Sequence, residues 1–294
     1  MSSRRNVAED SRRPAGDLRE RLLEGLPTTE RRLRLAGIST ALLEGGEGPP
    51  VVLLHEQGEF AASWKPIIPA LATTHRVIAP DLPGHGTSGV TGGTLDADRV
   101  FAWLSELVER TCPSPPALVG HMLGGAIAAR FAIGQGDRLS RLILVDTFGL
   151  ATFRPSMRVA PALIAYLTRP SQRTHDWLHR RCIADLDGVR GQMDWQTFQA
   201  YALDRISEPQ VKVALRILMR QFGMAAIPPA DLARITVPTT LIWGRHDPIT
   251  RVRIAEAASA RYGWALQVLE DSGDMPAVEQ PDAFVEALRS ALVS

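Results

Sequence analysis

Short apolar runs alternate with segments of helical spacing along most of this chain. Pro50–His55, His75–Asp81, Ala117–His121, Leu139–Asp146, Thr239–Gly244 and Ala265–Asp271 read as buried strands. Between and after them, Ser63–Thr73, Leu95–Arg110, Ile249–Tyr262 and Pro281–Val293 carry apolar residues on one helical face. Arg31–Glu44 alternates well enough for two strands around Ala36-Gly37, and Asp17–Gly25 for a short helix with a glycine stop. Strands alternating with helices predict an α/β protein with a doubly wound, mostly parallel sheet. From residue 148 to residue 232 the strand pattern disappears. Phe153, Leu163, Tyr166, Trp177, Trp195, Phe198, Tyr201, Leu215, Leu218 and Phe222 recur there at helical spacing, which predicts a helical insertion. The expected division is a disordered tail over 1–18, a core formed by 19–147 and 233–294, and a helical lid over 148–232. The tail is polar, with acids interspersed among its arginines, and so does not read as a nucleic-acid-binding arm.

Composition narrows the function classes. Hydrophobic residues make up 45% of the 294 residues and charged ones 22%, enough for a large core. The formal net charge of +1 gives no reason to expect nucleic acid or an acidic membrane as partner. Cys112 and Cys182 are the only cysteines, so neither a disulfide framework nor a cysteine metal site is expected. No apolar run reaches membrane-spanning length and the N-terminus lacks a signal-peptide core, so the expectation is a soluble, cytoplasmic protein. No metal-ligand spacing or phosphate-binding glycine loop occurs; Gly84-His-Gly86 is too short for one. No metal or cofactor is therefore expected.

Five motifs carry candidate chemistry. Ala117-Leu-Val-Gly-His-Met-Leu-Gly-Gly-Ala126 reads as strand, tight turn, helix, with Gly120 and Gly124 letting the two backbones approach. Pro50–Leu54 runs into His55-Glu-Gln-Gly58, and a later strand into Asp81-Leu-Pro-Gly-His-Gly-Thr-Ser88. Gly244-Arg-His-Asp247 and Ser272-Gly-Asp-Met-Pro-Ala-Val-Glu-Gln-Pro281 follow the last two strands. In this order the motifs resemble those of the α/β-hydrolase fold family over roughly residue 31 to the C-terminus. The resemblance implies a Gly-x-Ser-x-Gly nucleophile elbow, where Met122 stands in place of Ser. It implies an acid at Asp247 and a catalytic His in a Gly-His-x-Pro-x-x-Glu-x-Pro segment, where Asp274 stands in place of His. It also implies an oxyanion hole formed by backbone amides of the loop at Glu56 and of Leu123, with Glu56 replacing the first glycine of a His-Gly-x-Gly pattern.

A thioether has no proton to lose, so Met122 is not expected to form an acyl-enzyme. With Ser and His both absent, ordinary esterase chemistry is not expected. An engineered Met122 would leave Asp274 unexplained. Two readings remain open. One is a non-serine enzyme using Asp247, Asp274 and Glu56 as acid/base carboxylates, with His55 or Asp146 in support, for lyase, isomerase or cyclase chemistry on a small apolar molecule under the lid. The other is an inactive relative that binds a small ligand or a partner protein. His121 is expected to point away from Met122. Asp247 and Asp274 should lie close together, repel each other, and titrate as a pair above the usual carboxylate range.

Overall fold

A computed structural model describes residues 15–293; the polar segment 1–14 lies outside the described residues. Its centre is one nine-stranded sheet. β1 (Thr29–Leu35) and β2 (Ile38–Gly45) form the antiparallel pair expected around Ala36-Gly37. β3 (Pro50–Leu54), β4 (Arg76–Pro80), β6 (Ala117–His121), β7 (Arg141–Val145), β8 (Thr239–Gly244) and β9 (Ala265–Leu269) are mutually parallel, and β4 pairs antiparallel with β2. The short β5 (Gly89–Val90) attaches to β2. The order is β1-β2-β4-β3-β6-β7-β8-β9. The chain direction across the sheet therefore reverses between β3 and β6, and the carboxyl ends of those strands open the crevice where ligands bind in such sheets.

Helices cover both faces, as continuous apolar strands require. α3 (Ala97–Thr111) and α4 (Leu123–Gln135) pack on one face, with Val100, Trp103, Leu104, Ile127 and Phe131 meeting Leu42, Val52, Leu118 and Leu144. Asp96 caps α3 by accepting the Arg99 amide at 2.9 Å. α11 (Val252–Tyr262) completes this layer, contributing Ala255 and Ala258. α13 (Pro281–Val293) covers the other face through Phe284 and Leu288 against Val51, Val119 and Ile143. The helix expected over Ser63–Thr73 is broken into a 3-10 turn, Ala61–Trp64, and one turn of helix, α2 (Ile68–Leu71). Pro66 and Pro69 each lack the amide that a continuous helix would use. Trp64, Ile67 and Ile68 are nevertheless buried, as their spacing predicts.

Two boundaries need restating. The first helix, α1, runs Ala15–Leu23, with Leu18 and Leu22 buried, so residues 15–18 are not part of a disordered tail. Arg19 is buried with them: it pairs with Glu30 at 2.9 Å and Asp81 at 3.1 Å and donates to the Tyr201 hydroxyl at 3.2 Å. The helical insertion lies between β7 and β8, with α5 (Ala160–Thr168), α6 (Gln172–Cys182), α7 (Leu186–Gln192), α8 (Trp195–Ser207), α9 (Pro209–Leu218), a π-helical segment Met219–Gly223, and the single turn α10 (Pro229–Leu232). α6, α7 and α8 each begin at a side-chain cap, from Ser171, Asp185 and Asp194. A third apolar cluster joins α1 to this insertion: Leu18 and Leu22 with Phe60, Trp195, Phe198 and Tyr201.

Candidate active site

The turn from β6 into α4 is where the sequence places its sharpest backbone demand. Met122 occupies it at φ 43°, ψ −104°, fully buried. The turn is held on both sides. The Met122 amide donates to the Val145 carbonyl at 3.0 Å, and its own carbonyl accepts from the Ala126 amide at 3.0 Å and the Phe148 amide at 3.2 Å. Glycine is required beside it: a Cβ on Gly124 would stand 2.4 Å from the Leu54 carbonyl oxygen, and one on Gly120 2.5 Å from that of Gly124. Leu123 opens α4, so its amide belongs to the helix's first turn, where amides have no intrahelical acceptor.

Around Met122 the structure gathers acids. Glu56 and Glu59 come from the loop after β3, Asp146 from the end of β7, Asp247 from the loop after β8, and Asp274 from the loop after β9; all five are buried. Asp247 accepts the Ile249 amide at 2.6 Å, the Thr250 amide at 3.0 Å and the Thr250 hydroxyl. Burial still raises it to about 6 against those hydrogen bonds. Asp274 is pushed well above the carboxylate range by burial first, then by the charges of Asp247 and Glu279. The Asp247 charge acts on Asp274, and no hydrogen bond joins the two carboxyls. Glu56 is raised by burial and by Asp274, and Glu59 to about 8 by burial. Asp146, at φ 39°, accepts the Gly244 amide at 3.0 Å and is raised by burial and by Asp247.

Glu279 is the organiser of the last loop. Its carboxylate accepts the amides of Gly273, Met275 and Ala184 at 2.7–3.0 Å, which fixes Asp274 between them. The Asp274 backbone is tied on both sides, its amide to the Cys182 carbonyl at 3.2 Å and its carbonyl to His121 Nε2 at 2.7 Å. Its side-chain Oδ1 is buried without a partner.

The imidazoles divide sharply. His55, expected as a supporting base, has both nitrogens committed: Nδ1 donates to the Glu56 carbonyl at 2.7 Å and Nε2 accepts the Leu82 amide at 2.9 Å. Burial lowers it to about 3, so it is neutral and structural, and the structure takes it out of the candidate catalytic set. His85 is buried in the Pro-Gly loop and lowered to about 4 by burial. His121 bonds the Asp274 carbonyl through Nε2, and its Nδ1 stands 4.0 Å from Glu56 Oε1. An imidazole that sequence reasoning missed, His179 of α6, lines the cavity. Its Nδ1 bonds the His175 carbonyl at 2.8 Å, which leaves Nε2 as the acceptor, and burial holds it near 4.

A cavity of about 370 Å³ lies between the core loops and the insertion. Glu56, Gln57, Glu59, Asp274 and Met275 form its floor; Phe148, Phe153, Leu163, Tyr166, Leu167 and Leu178 form much of its apolar wall. Gln57 also touches Met122, its Nε2 3.3 Å from the sulfur. Trp177, Trp195 and Tyr201, expected to roof it, do not line it; Tyr166 does. Trp195 and Tyr201 instead pack in the third cluster with α1, and Trp177 is half-exposed under the Arg181 guanidinium. Among the described residues no helix is long and apolar enough to cross a membrane.

The profile of the Alpha/beta hydrolase family matches residues 51–287. The chain is 27% identical over 259 residues to a pimeloyl-[acyl-carrier protein] methyl ester esterase of Aeromonas hydrophila, covering 85% of this chain and 98% of that one. It is 25% identical over 273 residues to the 2-hydroxy-6-oxo-6-(2'-aminophenyl)hexa-2,4-dienoic acid hydrolase of Metapseudomonas resinovorans, covering 90% of each. Among solved structures, a 2-hydroxy-6-oxo-6-phenylhexa-2,4-dienoate hydrolase from Rhodococcus superposes with a TM-score of 0.80 at 24% identity, over 92% of this chain and 100% of that one.

Proposed function

The chain belongs to the alpha/beta hydrolase family, and from that premise we propose that it is an enzyme of carboxyl acid/base chemistry without a covalent acyl intermediate. The substrate is a small, largely apolar molecule bearing a carbonyl. What supports this is one observation: the Asp274 carboxyl, buried in the cavity floor and raised by burial and the Asp247 charge, has an unpartnered Oδ1. A carboxyl held neutral near pH 7 donates a hydrogen bond or a proton to a substrate oxygen. Asp247 or Glu56 takes up the complementary charge. The carbonyl is inferred from the ester and oxo-dienoic acid in the relatives' names, and the apolar body from the cavity wall. Lyase, isomerase or cyclase steps suit such a pair, since each moves a proton without an acyl-enzyme. The Met122 thioether fills the place where a nucleophile would stand.

The reading is tested by following carboxyl carbons by NMR across pH in the wild type and in Asp247→Asn. Asp274 is expected to titrate well above the ordinary carboxylate range, and its midpoint to fall when the Asp247 charge is removed. An Asp274 midpoint near 4 in the wild type, unchanged by Asp247→Asn, overturns the proposal and leaves ligand binding without turnover as the better account.

A further inference from the structure

The cavity floor has more acceptors than the described residues satisfy. Three buried oxygens, Gln57 Oε1, Glu59 Oε2 and Asp274 Oδ1, have no hydrogen-bond partner, and all three residues line the same cavity. Glu56 stands among them, its Oε2 taking the Gln57 amide group at 3.3 Å, which turns the Gln57 oxygen away from that bond. Among the described residues no cation pairs with this group. The cavity's two cations, Lys212 and Arg216, sit on α9 in the insertion and form no ion pair with Glu56, Glu59 or Asp274. Among the described residues no cluster of three or more His, Cys, Asp or Glu has the arrangement to hold a metal ion.

Buried acceptors without donors are costly, on the order of 1–3 kcal/mol each, and more where the group can be charged. A ligand that brings donors rather than acceptors relieves that cost. We propose that the floor formed by Gln57, Glu59 and Asp274 binds the primary ammonium group of a small apolar amine. An ammonium presents three N–H donors and one positive charge. Three orphaned oxygens match its donors in number, and its charge draws the neighbouring carboxyls toward their ionised form. An alcohol offers one donor and no charge, and a carboxylate offers none. The apolar wall of Phe148, Phe153, Leu163 and Leu167 receives the hydrocarbon body.

This inference rests on the cavity being the substrate site, and it adds to the acid/base reading the group by which the substrate is held. The test uses three probes of one shape: 4-phenylbutylamine, 4-phenylbutanol and 4-phenylbutyrate. Binding to the full chain is measured by calorimetry at pH 7.5. The amine is expected to bind at least about tenfold more tightly than the alcohol, with the carboxylate weakest, and Glu59→Gln to reduce the amine's advantage at least about threefold. Equal or tighter binding of the alcohol or carboxylate to the wild type overturns the inference, and this comparison needs no variant. An amine preference that Glu59→Gln leaves untouched, in a variant of normal melting temperature, overturns the assignment of the floor. Loss of the amine preference with Asp274 still protonated at neutral pH removes only this inference. An ordinary Asp274 midpoint with the preference intact removes only the acid/base reading.

Discussion

Replacing Glu59 by glutamine removes one ionisable group from the cavity floor while keeping its shape, and its effect can be worked out in advance. Burial raises Glu59 from an ordinary 4.5 to about 8. The folded protein therefore binds this proton more tightly than the unfolded chain does. Stability is unaffected by this group below pH 4.5, falls as pH rises from there to about 8, and has lost the full amount above. Between pH 5 and pH 8 the single group accounts for about 3 kcal/mol of lost stability. Glu56 and Asp274 are shifted in the same direction, so the wild-type profile is steeper than Glu59 alone would make it. No hydrogen bond holds the Glu59 Oε2, so glutamine sacrifices none there. Urea unfolding followed by circular dichroism at pH 5, 6, 7 and 8 measures the difference. Glu59→Gln should match the wild type within about 1 kcal/mol at pH 5 and exceed it by about 3 kcal/mol at pH 8. Parallel profiles, or a wild type that gains stability from pH 5 to pH 8, would refute the claim that the floor carboxyl is buried and protonated.

Two further outcomes follow from the same geometry. Met122→Ser alone should raise hydrolysis of p-nitrophenyl butyrate less than about tenfold, while Met122→Ser with Asp274→His should raise it about a hundredfold or more, because a serine needs an imidazole at that loop; strong hydrolysis by the single variant would mean that another base, such as His179, already reaches position 122. Arg19→Ala leaves Asp81 buried without its cation and frees Tyr201, so it should cost about 3–5 kcal/mol in urea unfolding, and a cost under 1 kcal/mol would show that α1 does not pin the insertion.

How much of this was legible in the sequence depends on how local the cause is. The two glycines of the elbow were readable because the contacts that demand them lie within four residues or across one strand. Asp247 was readable because its partners, Ile249 and Thr250, are its own neighbours in the loop. The Glu of the last motif could be matched, yet its work, holding three amides of which one belongs to Ala184, needed the fold. His55 was read as a spare imidazole because nothing near it in the chain announces the Leu82 amide, 27 residues away, that occupies its Nε2. His179, Gln57 and Glu59 gave no signal. They become a site only when the insertion closes over the loop after β3, and helical spacing says which face of α6 is apolar but not what that face meets. The boundary at residue 18 failed for the same reason: Leu18 and Leu22 showed a short apolar face, and its cover, Phe198 and Tyr201, comes from far along the chain.

The elbow explains why sequence and chemistry can part company in this fold. A positive φ at a residue with a side chain costs on the order of 1–3 kcal/mol and persists only where the surroundings over-determine it. At Met122 they do: the amide and the carbonyl are bonded to β7, to α4 and to the residues after β7, and the Thr147 hydroxyl reaches the same carbonyl at 3.3 Å. None of these bonds involves a nucleophile. The turn is set by the junction of β6, β7 and α4, so its strain survives whatever side chain the position carries. The same holds for the loop after β9, where Glu279 fixes the backbone around residue 274 and leaves the side chain there free to be an imidazole or a carboxyl. Retained glycines and a retained elbow are therefore statements about how the sheet meets its helices. The chemistry has to be read from the groups left without partners, and three of those, carbonyl and carboxyl oxygens, share the floor of one cavity.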